Sequence, residues 1–577
     1  RLPWHDDDEL KQLANRQKQL YRRIRRHRRD HIPDHLTSEY HRLRTAYRGR
    51  LDTLKEEFLR QQMGDDTNQY EKVCRLLKHQ ISIPAQTLAG CDDPEVTVKK
   101  LLDDLFPDDF IDDDTTRQTE IRLSNENWLD ERRGECLDFP DVTTRELFNI
   151  VTKIKNDKSP GFDNISPEIC KKLLAFFPEM MTAIMNACIR TGHVPYLWKI
   201  STVRIIPKPG KTNYGQTSSF RPIGLLPILG KILESIMAGR IRRSLATNCP
   251  MSTNQYGFTS GKSTIHALDQ LMCRIDHQQR DGNHVIMASI DIKGAFNHAW
   301  NPGIIDRLVA KKCPDYIVRI MANYMDDRRV VTTYGGTTLA KTTNRGTVQG
   351  SVMGPLLWNL IIDEFLHKDF GANIHVQAFA DDIAAVIAHR DLNQLGILAS
   401  KFMRMATDWC NSVKLHMSAE KSVIMYMSRK LRLPVLPTIM VDNRRIDYVE
   451  QTKILGVTID RKRDFRPHLH LVIEKTTRIY RQILAMVHRN LGMRPHILKM
   501  IYRSVVVPTI TYAAAIWKHA IVFKYMWNHL RQFVRPWAQL ISGSYRTASF
   551  ISTTAIADIA PLELEIMYEA SVSLARI

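Results

Sequence analysis

At 577 residues, with 82 Lys and Arg against 62 Asp and Glu for a formal charge of +20, the chain is long and strongly basic. The length implies about three or four domains rather than one core, and the charge favours a polyanionic partner, nucleic acid ahead of an anionic membrane surface. Nine Cys without a C-x-x-C pair and 21 His without an H-E-x-x-H cluster argue against a zinc ribbon, a secreted disulfide framework or structural zinc. No apolar run approaches the ~20 residues of a membrane-spanning helix. The chain opens Arg1-Leu2-Pro3-Trp4 with no signal peptide and no initiator Met, as expected of a segment of a longer polypeptide.

The first hundred residues read as helical and charged. Lys18 to Arg29 is a dense basic run closed by Pro33, suited to gripping nucleic-acid backbone, to nuclear import, or simply to a solvated helix face. Leu36, Tyr40, Leu43, Tyr47, Leu51, Leu54 and Phe58 then recur at steps of three and four, which predicts one long amphipathic helix. Asp103 to Asp114, broken by Pro107, reads as a solvated linker, since no strand-like run holds its carboxylates. Thr143-Thr144-Arg145-Glu146 is a capping-box pattern that starts a helix. From there to about Asp460, short apolar runs alternate with helical segments and Gly/Pro turns, as in an α/β or α+β enzyme. Beyond it strand signals fade, and His468 to Met486 and Arg494 to Val505 carry helical spacing.

The most informative residues lie in that middle stretch. His375 to Phe379 and Ile383 to Ala388 are apolar, strand-like runs joined by Ala380-Asp381-Asp382, a β-hairpin pattern with two carboxylates at its tip. A third carboxylate, Asp291, ends the run Val285 to Ile290. Hard divalent cations want anionic oxygens, and two strands delivering three carboxylates to one point suit a two-metal site for in-line phosphoryl transfer. That is polymerase or nuclease chemistry. Phe296, five residues past Asp291, could pack under a sugar and exclude a 2′-hydroxyl. Gln349 and Gly350 lie in a Gly-rich turn where backbone approaches a ligand closely. Lys208 and Arg221 sit on tight turns and suit phosphate contacts. Gly261-Lys262-Ser263-Thr264 resembles the end of a P-loop, but Tyr256 stands where that motif needs Gly, so an ATPase is not indicated.

Taken in order, these segments resemble the reverse transcriptases of non-LTR (LINE-type) retrotransposons, most of all the jockey and rDNA-inserted groups of arthropods. The resemblance rests on Lys158-Ser159-Pro160-Gly161-Phe162-Asp163, Ile206-Pro207-Lys208-Pro209-Gly210-Lys211, Phe220-Arg221-Pro222-Ile223-Gly224, Gln255-Tyr256-Gly257-Phe258, Gln349-Gly350-Ser351, Phe379-Ala380-Asp381-Asp382, Glu420-Lys421-Ser422 and Leu455-Gly456. It departs at Phe220, usually Tyr, at Gly224, usually Ser, and at Lys262, frequently Arg.

The resemblance implies an α+β right-hand polymerase. A helical charged extension (1–140) would precede fingers (141–283), a palm with the two-metal site (284–460) and an all-α thumb (461–577). It further implies Asp291, Asp381 and Asp382 as catalytic ligands of two Mg²⁺ ions, with Mn²⁺ as an alternative, and Lys421 as the acid for the leaving pyrophosphate. Lys208, Arg221, Phe296, Gln349 and Gly350 would bind nucleotide, and Leu455 and Gly456 would grip the primer. The implied partners are an RNA template, a DNA primer or target and deoxynucleoside triphosphates, with no membrane. The implied setting is the nucleus after a cytoplasmic ribonucleoprotein stage. The competing reading is a domesticated or inactive element copy that keeps the fold as an RNA- or DNA-binding protein.

Overall fold

The computed structural model describes residues 6–26, 33–63, 88, 91, 93–135, 137–211, 213–441, 444–486 and 493–577. They fall into two compact units, Ile83–Arg463 and a second made of Arg1–Ser82 with Asp464–Ile577. No single helix among the described residues is long and apolar enough to cross a membrane.

The larger unit is built on two four-stranded sheets. Its strands are β1 (Ile200–Pro207), β2 (Phe220–Leu225), β3 (His284–Ile290), β4 (Arg328–Tyr334), β5 (Thr337–Thr343), β6 (Ile374–Phe379), β7 (Asp382–His389) and β8 (Val423–Met427). One sheet runs β2-β1-β4-β5, the other β6-β7-β3-β8. In the second, β3 pairs antiparallel with both β7 and β8, as Val285↔Ala388 and Val285↔Met427. A strand enclosed on both edges and both faces reads as an unbroken apolar run, and Val285 to Ala288 and Ile290 are indeed all buried. The helices Thr264–Arg280 and Leu392–Ser412 pack on this sheet. The core contains Trp300, Trp358, Trp409, Phe365 and Phe402, all fully buried. Each such aromatic contributes about 1.5–3 kcal/mol by leaving water.

Two short hairpins follow, β9 (Ile439–Val441) with β10 (Arg444–Ile446) and β11 (Gln451–Ile454) with β12 (Val457–Asp460). Thr143 caps the Thr144–Val151 helix by accepting the Glu146 N–H at 3.1 Å. The Glu146 carboxylate does not return the bond in a full box; it faces Arg240 at 3.8 Å.

The acidic stretch is not a solvated linker. Its first part continues the Pro94–Leu105 helix, and Asp103, Asp108, Asp109 and Asp114 are tied down by cations, while Asp112 and Asp113 stay exposed. Asp109 accepts from Arg122 at 2.6 Å, Lys414 at 2.8 Å and the Trp300 indole at 3.1 Å. Asp114 pairs with Arg122 at 2.5 Å and with Lys414. Asp103 and Asp108 meet Lys341 at 2.9 and 3.0 Å. The partners lie up to 305 residues away, so the sequence alone could not show that Asp109 and Asp114 are buried and compensated.

In the smaller unit, the helices Asp8–Arg26 and Asp34–Met63 pair antiparallel. Tyr21 meets Tyr40 with ring centroids 5.9 Å apart, and Arg50 binds Asp7 at 2.8 Å. The expected stripe begins at buried Leu36, while the Phe58 side chain lies outside the described residues. The basic run occupies the end of the first helix as far as Arg26; its last three residues are likewise outside. The C-terminal part is all helical, around buried Tyr502, Trp517 and Trp537. A π-turn, Tyr502–Val506, immediately precedes Pro508. Proline has no N–H for the carbonyl four residues back, and the backbone accommodates that loss by widening locally.

Candidate active site

The register of the second sheet brings the carboxylates together. β3 pairs with β7 from His284↔His389 to Ile290↔Ile383, so one further step sets Asp291 beside Asp382. Phe379 pairs with Asp382 across a two-residue loop, Ala380-Asp381, and Ala380 has φ +58°. Positive φ at the first loop position belongs to the tight turns that match strand twist, usually at a Gly. Here an Ala bears the strain, and its neighbours hold it there. Buried Gln255 accepts the Ala380 N–H at 3.1 Å and donates to the Ala380 carbonyl at 3.4 Å. Gly257 lies so close that a Cβ on it would stand 2.1 Å from the Ala380 nitrogen. Both residues belong to a motif quoted above, yet nothing in the sequence marked them as the bracket of the carboxylate turn.

Asp291 is fixed by its own backbone, its carbonyl accepting from the Ser418 N–H at 2.8 Å and its N–H donating to Ser422 Oγ at 3.2 Å. Its carboxylate meets the Lys421 ammonium at 3.2 Å. Burial pushes Asp381 above the usual carboxylate range; Asp291 adds to the shift and Arg221 offsets part of it. Asp382 is pushed up to about 6, by burial first and then by Asp381 and Asp291. Asp381 and Asp382 resist ionisation and repel each other and Asp291, a charge pattern that a divalent cation would neutralise. Among the described residues no three His, Cys, Asp or Glu side chains are drawn together closely enough to hold a metal ion as they stand. The arrangement is an open carboxylate face.

Cations gather on the same side. Lys208 donates to the Ser218 carbonyl at 3.1 Å. Its ammonium is pushed down by burial and then by Arg221, Lys421 and Lys211, while Asp291 pulls it up. Four cations and one of the aspartates therefore share a neighbourhood. Phe296 is half-buried between Phe258 (6.0 Å, edge-on) and Trp358 (5.9 Å). The Gln349–Gly350 turn docks on β2, where the Gly224 N–H donates to the Gln349 carbonyl at 2.7 Å. It reaches the Asp291 segment through Thr347, whose N–H donates to the Phe296 carbonyl at 2.7 Å. Leu455 and Gly456 form the two-residue loop of β11–β12, both with positive φ. Leu455 lines one cavity with Phe379 and Asp382. Lys262, in the P-loop look-alike, instead braces the 253–255 turn, donating to the Gln255 carbonyl at 3.1 Å and to that of Thr253.

Residues 206–459 match the family model described as reverse transcriptase (RNA-dependent DNA polymerase). This stretch, which spans the sheet ends and the cationic turn, is a reverse transcriptase domain. A putative 115 kDa protein in the type-1 retrotransposable element R1DM of Drosophila melanogaster is 27% identical over 66% of this chain and 36% of its own length. The Pol polyprotein of the type-1 element R1 of Bradysia coprophila is 28% identical over 67% and 38%. The RNA-directed DNA polymerase of the mobile element jockey of D. melanogaster is 24% identical over 73% and 46%. The chain is thus similar to the reverse transcriptases of non-LTR retrotransposons, and it spans less than half the length of each of these three. Among solved structures, apo telomerase from Candida tropicalis aligns over 67% of this chain and 66% of its own at 10% identity, with a TM-score of 0.34.

Proposed function

We propose that the chain is the RNA-directed DNA polymerase of a non-LTR retrotransposon, extending a DNA primer 3′-hydroxyl on an RNA template. The observation that carries this reading is the meeting of Asp291, Asp381 and Asp382 at adjacent strand ends, with Lys208, Lys211, Arg221 and Lys421 close by. The polymerase is read as a right hand, with the β6-β7-β3-β8 sheet as palm, the β2-β1-β4-β5 sheet in the fingers and the C-terminal helices as thumb. Nuclear action follows from the same reading.

Asp291, Asp381 and Asp382 would hold two Mg²⁺ ions, whose chemistry is to acidify the primer hydroxyl and to neutralise the leaving pyrophosphate. Lys208 and Arg221 place positive charge where a triphosphate lies, Arg by its fork and Lys as a point charge. Lys421, which pairs with Asp291, would give its proton to the pyrophosphate. Phe296 would pack against the sugar, and Leu455-Gly456 would hold the primer end near Asp382. Binding of the template–primer duplex through its backbone makes affinity fall steeply with salt.

The test is primer extension on an RNA template with deoxynucleotides and Mg²⁺, comparing the parent with Asp381→Ala plus Asp382→Ala. Synthesis by the parent, lost in the double variant while hybrid binding persists, is the expected result. Binding without synthesis by either would instead favour the RNA- or DNA-binding protein.

A further inference from the structure

Glu234 lies on the Ile228–Asn248 helix and is only 4% exposed. Nothing in its sequence context marks it as a site residue. Its carboxylate nevertheless collects four donors. Oε1 accepts the Tyr324 hydroxyl at 2.6 Å. Oε2 accepts the Ser351 hydroxyl at 3.0 Å, the Val352 N–H at 2.6 Å and the Met353 N–H at 3.4 Å. Ser351 Oγ in turn accepts the N–H groups of Met353 and Gly354 at 3.0 and 3.1 Å.

A carboxylate is acceptor-only, and here Oε2 draws three donors and Oε1 one. A buried charge is retained only where its bonds are satisfied, and here most of those bonds go to one short segment. That segment, Ser351 to Gly354, links the turn of half-buried Gln349 and exposed Gly350 to the start of the buried Gly354–Leu366 helix. A negative charge at a helix N-terminus is also favoured by the helix dipole. The far side of the turn is fixed by the Gly224 N–H on the Gln349 carbonyl. Gln349 and Gly350 are thus held between β2 and Glu234.

We propose that Glu234 is the positioning residue that holds the Gln349–Gly350 turn in the form that receives the incoming nucleotide. The inference rests on the polymerase reading for the identity of the ligand, but not for the anchoring of the turn. Glu234 touches no reacting atom. It acts through Ser351 and two backbone N–H groups.

Glu234→Gln keeps the shape and removes the charge. The expected result is a KM for deoxynucleotide raised about tenfold with kcat changed less than about twofold, because the turn loosens while the aspartates stay in place. Hydrogen exchange at Val352 and Met353 should speed up in the same variant. Asp363→Asn is the control, since Asp363 is another buried carboxylate, further along the Gly354–Leu366 helix, and accepts the Ser252 N–H at 2.6 Å. An equal KM rise in that variant would reduce Glu234 to general stability and overturn the inference. Unchanged exchange at Val352 and Met353 in Glu234→Gln overturns it too, whether or not the parent polymerises. A parent that makes no DNA removes the polymerase reading, and with it the nucleotide as ligand, while faster exchange would still show Glu234 as the anchor of the turn.

Discussion

Gln255 grips both backbone groups of Ala380, accepting its N–H at 3.1 Å and donating to its carbonyl at 3.4 Å. Its Oε1 also accepts the Gly257 N–H at 2.8 Å, so one amide ties two turns together. A residue held at positive φ without being Gly costs about 1–3 kcal/mol and persists only where its surroundings over-determine it. Gln255→Leu removes the bracket and leaves buried backbone groups unpaired, at about 1–3 kcal/mol. The turn carrying Asp381 should then relax, and kcat should fall about 10²-fold with little change in template–primer binding. Steady-state extension alongside hybrid binding checks this; an unchanged kcat would show that the turn holds itself.

The carboxylate face carries a cost in stability. A carboxyl pushed up to about 6 binds protons in the folded state that the unfolded chain, with its ordinary lower value, has released. Metal-free stability should therefore fall as pH rises from the ordinary carboxylate value to about 6, with the penalty fully present above that. Asp382→Asn removes one of the three charges. It should raise the melting temperature of the metal-free protein at pH 7.5 while abolishing synthesis. Mg²⁺ should raise the melting temperature of the parent more than that of the variant. The acid limb of activity should move to lower pH as Mg²⁺ is increased, because proton and metal compete for the same oxygens. Thermal scans with and without Mg²⁺ decide it, and a variant less stable than the parent at pH 7.5 would sink the idea.

What the chain discloses in advance follows from how local each signal is. The β6–β7 hairpin and the end of β3 were legible because apolar runs, turn residues and carboxylates all fall within a few positions of one another. Lys208, Arg221 and Phe296 could be named as types suited to their tasks, but their convergence near Asp291 depends on the folded sheets. Glu234 went unmarked and the bracing role of Gln255 unseen, because a buried polar group is recognised by partners that lie 117 and 125 residues away. The acidic stretch misled for the same reason. Asp109 and Asp114 read as solvated until Arg122 and Lys414 are brought against them.

Phe296 sits edge-on to Phe258 and is backed by Trp358. A ring braced on both sides has little freedom to swing away from a sugar carrying an extra hydroxyl. Phe296→Ala should raise ribonucleotide use relative to deoxynucleotide by about 10²-fold or more, chiefly through a lower ribonucleotide KM, since what it removes is a clash. Phe296→Tyr should keep the discrimination. Single-nucleotide incorporation with paired ribo- and deoxynucleotides measures the ratio; unchanged discrimination in the Ala variant removes the gate from Phe296.

Gly224 stands where the resemblance expects Ser, and the structure supplies a reason. A Cβ at Gly224 would lie 1.9 Å from Val348 Cγ1 and 2.7 Å from Ser201 Oγ, while the Gly350 position already abuts the Gly224 carbonyl. Val348 is buried, so its methyl has no open space to retreat into. Gly224→Ser should therefore push the Gln349–Gly350 turn off β2, costing about 1–3 kcal/mol as an overpacked core does and raising the deoxynucleotide KM. Shortening the opposing side chain should undo the damage. In Gly224→Ser with Val348→Ala the methyl is gone, and the two changes should couple favourably by about 1 kcal/mol or more, as contacting residues do. A double-mutant cycle on melting temperature and KM reads the coupling directly. Additive losses would mean that Gly224 and Val348 do not share the space, and that the glycine answers to Ser201 or Gly350 instead.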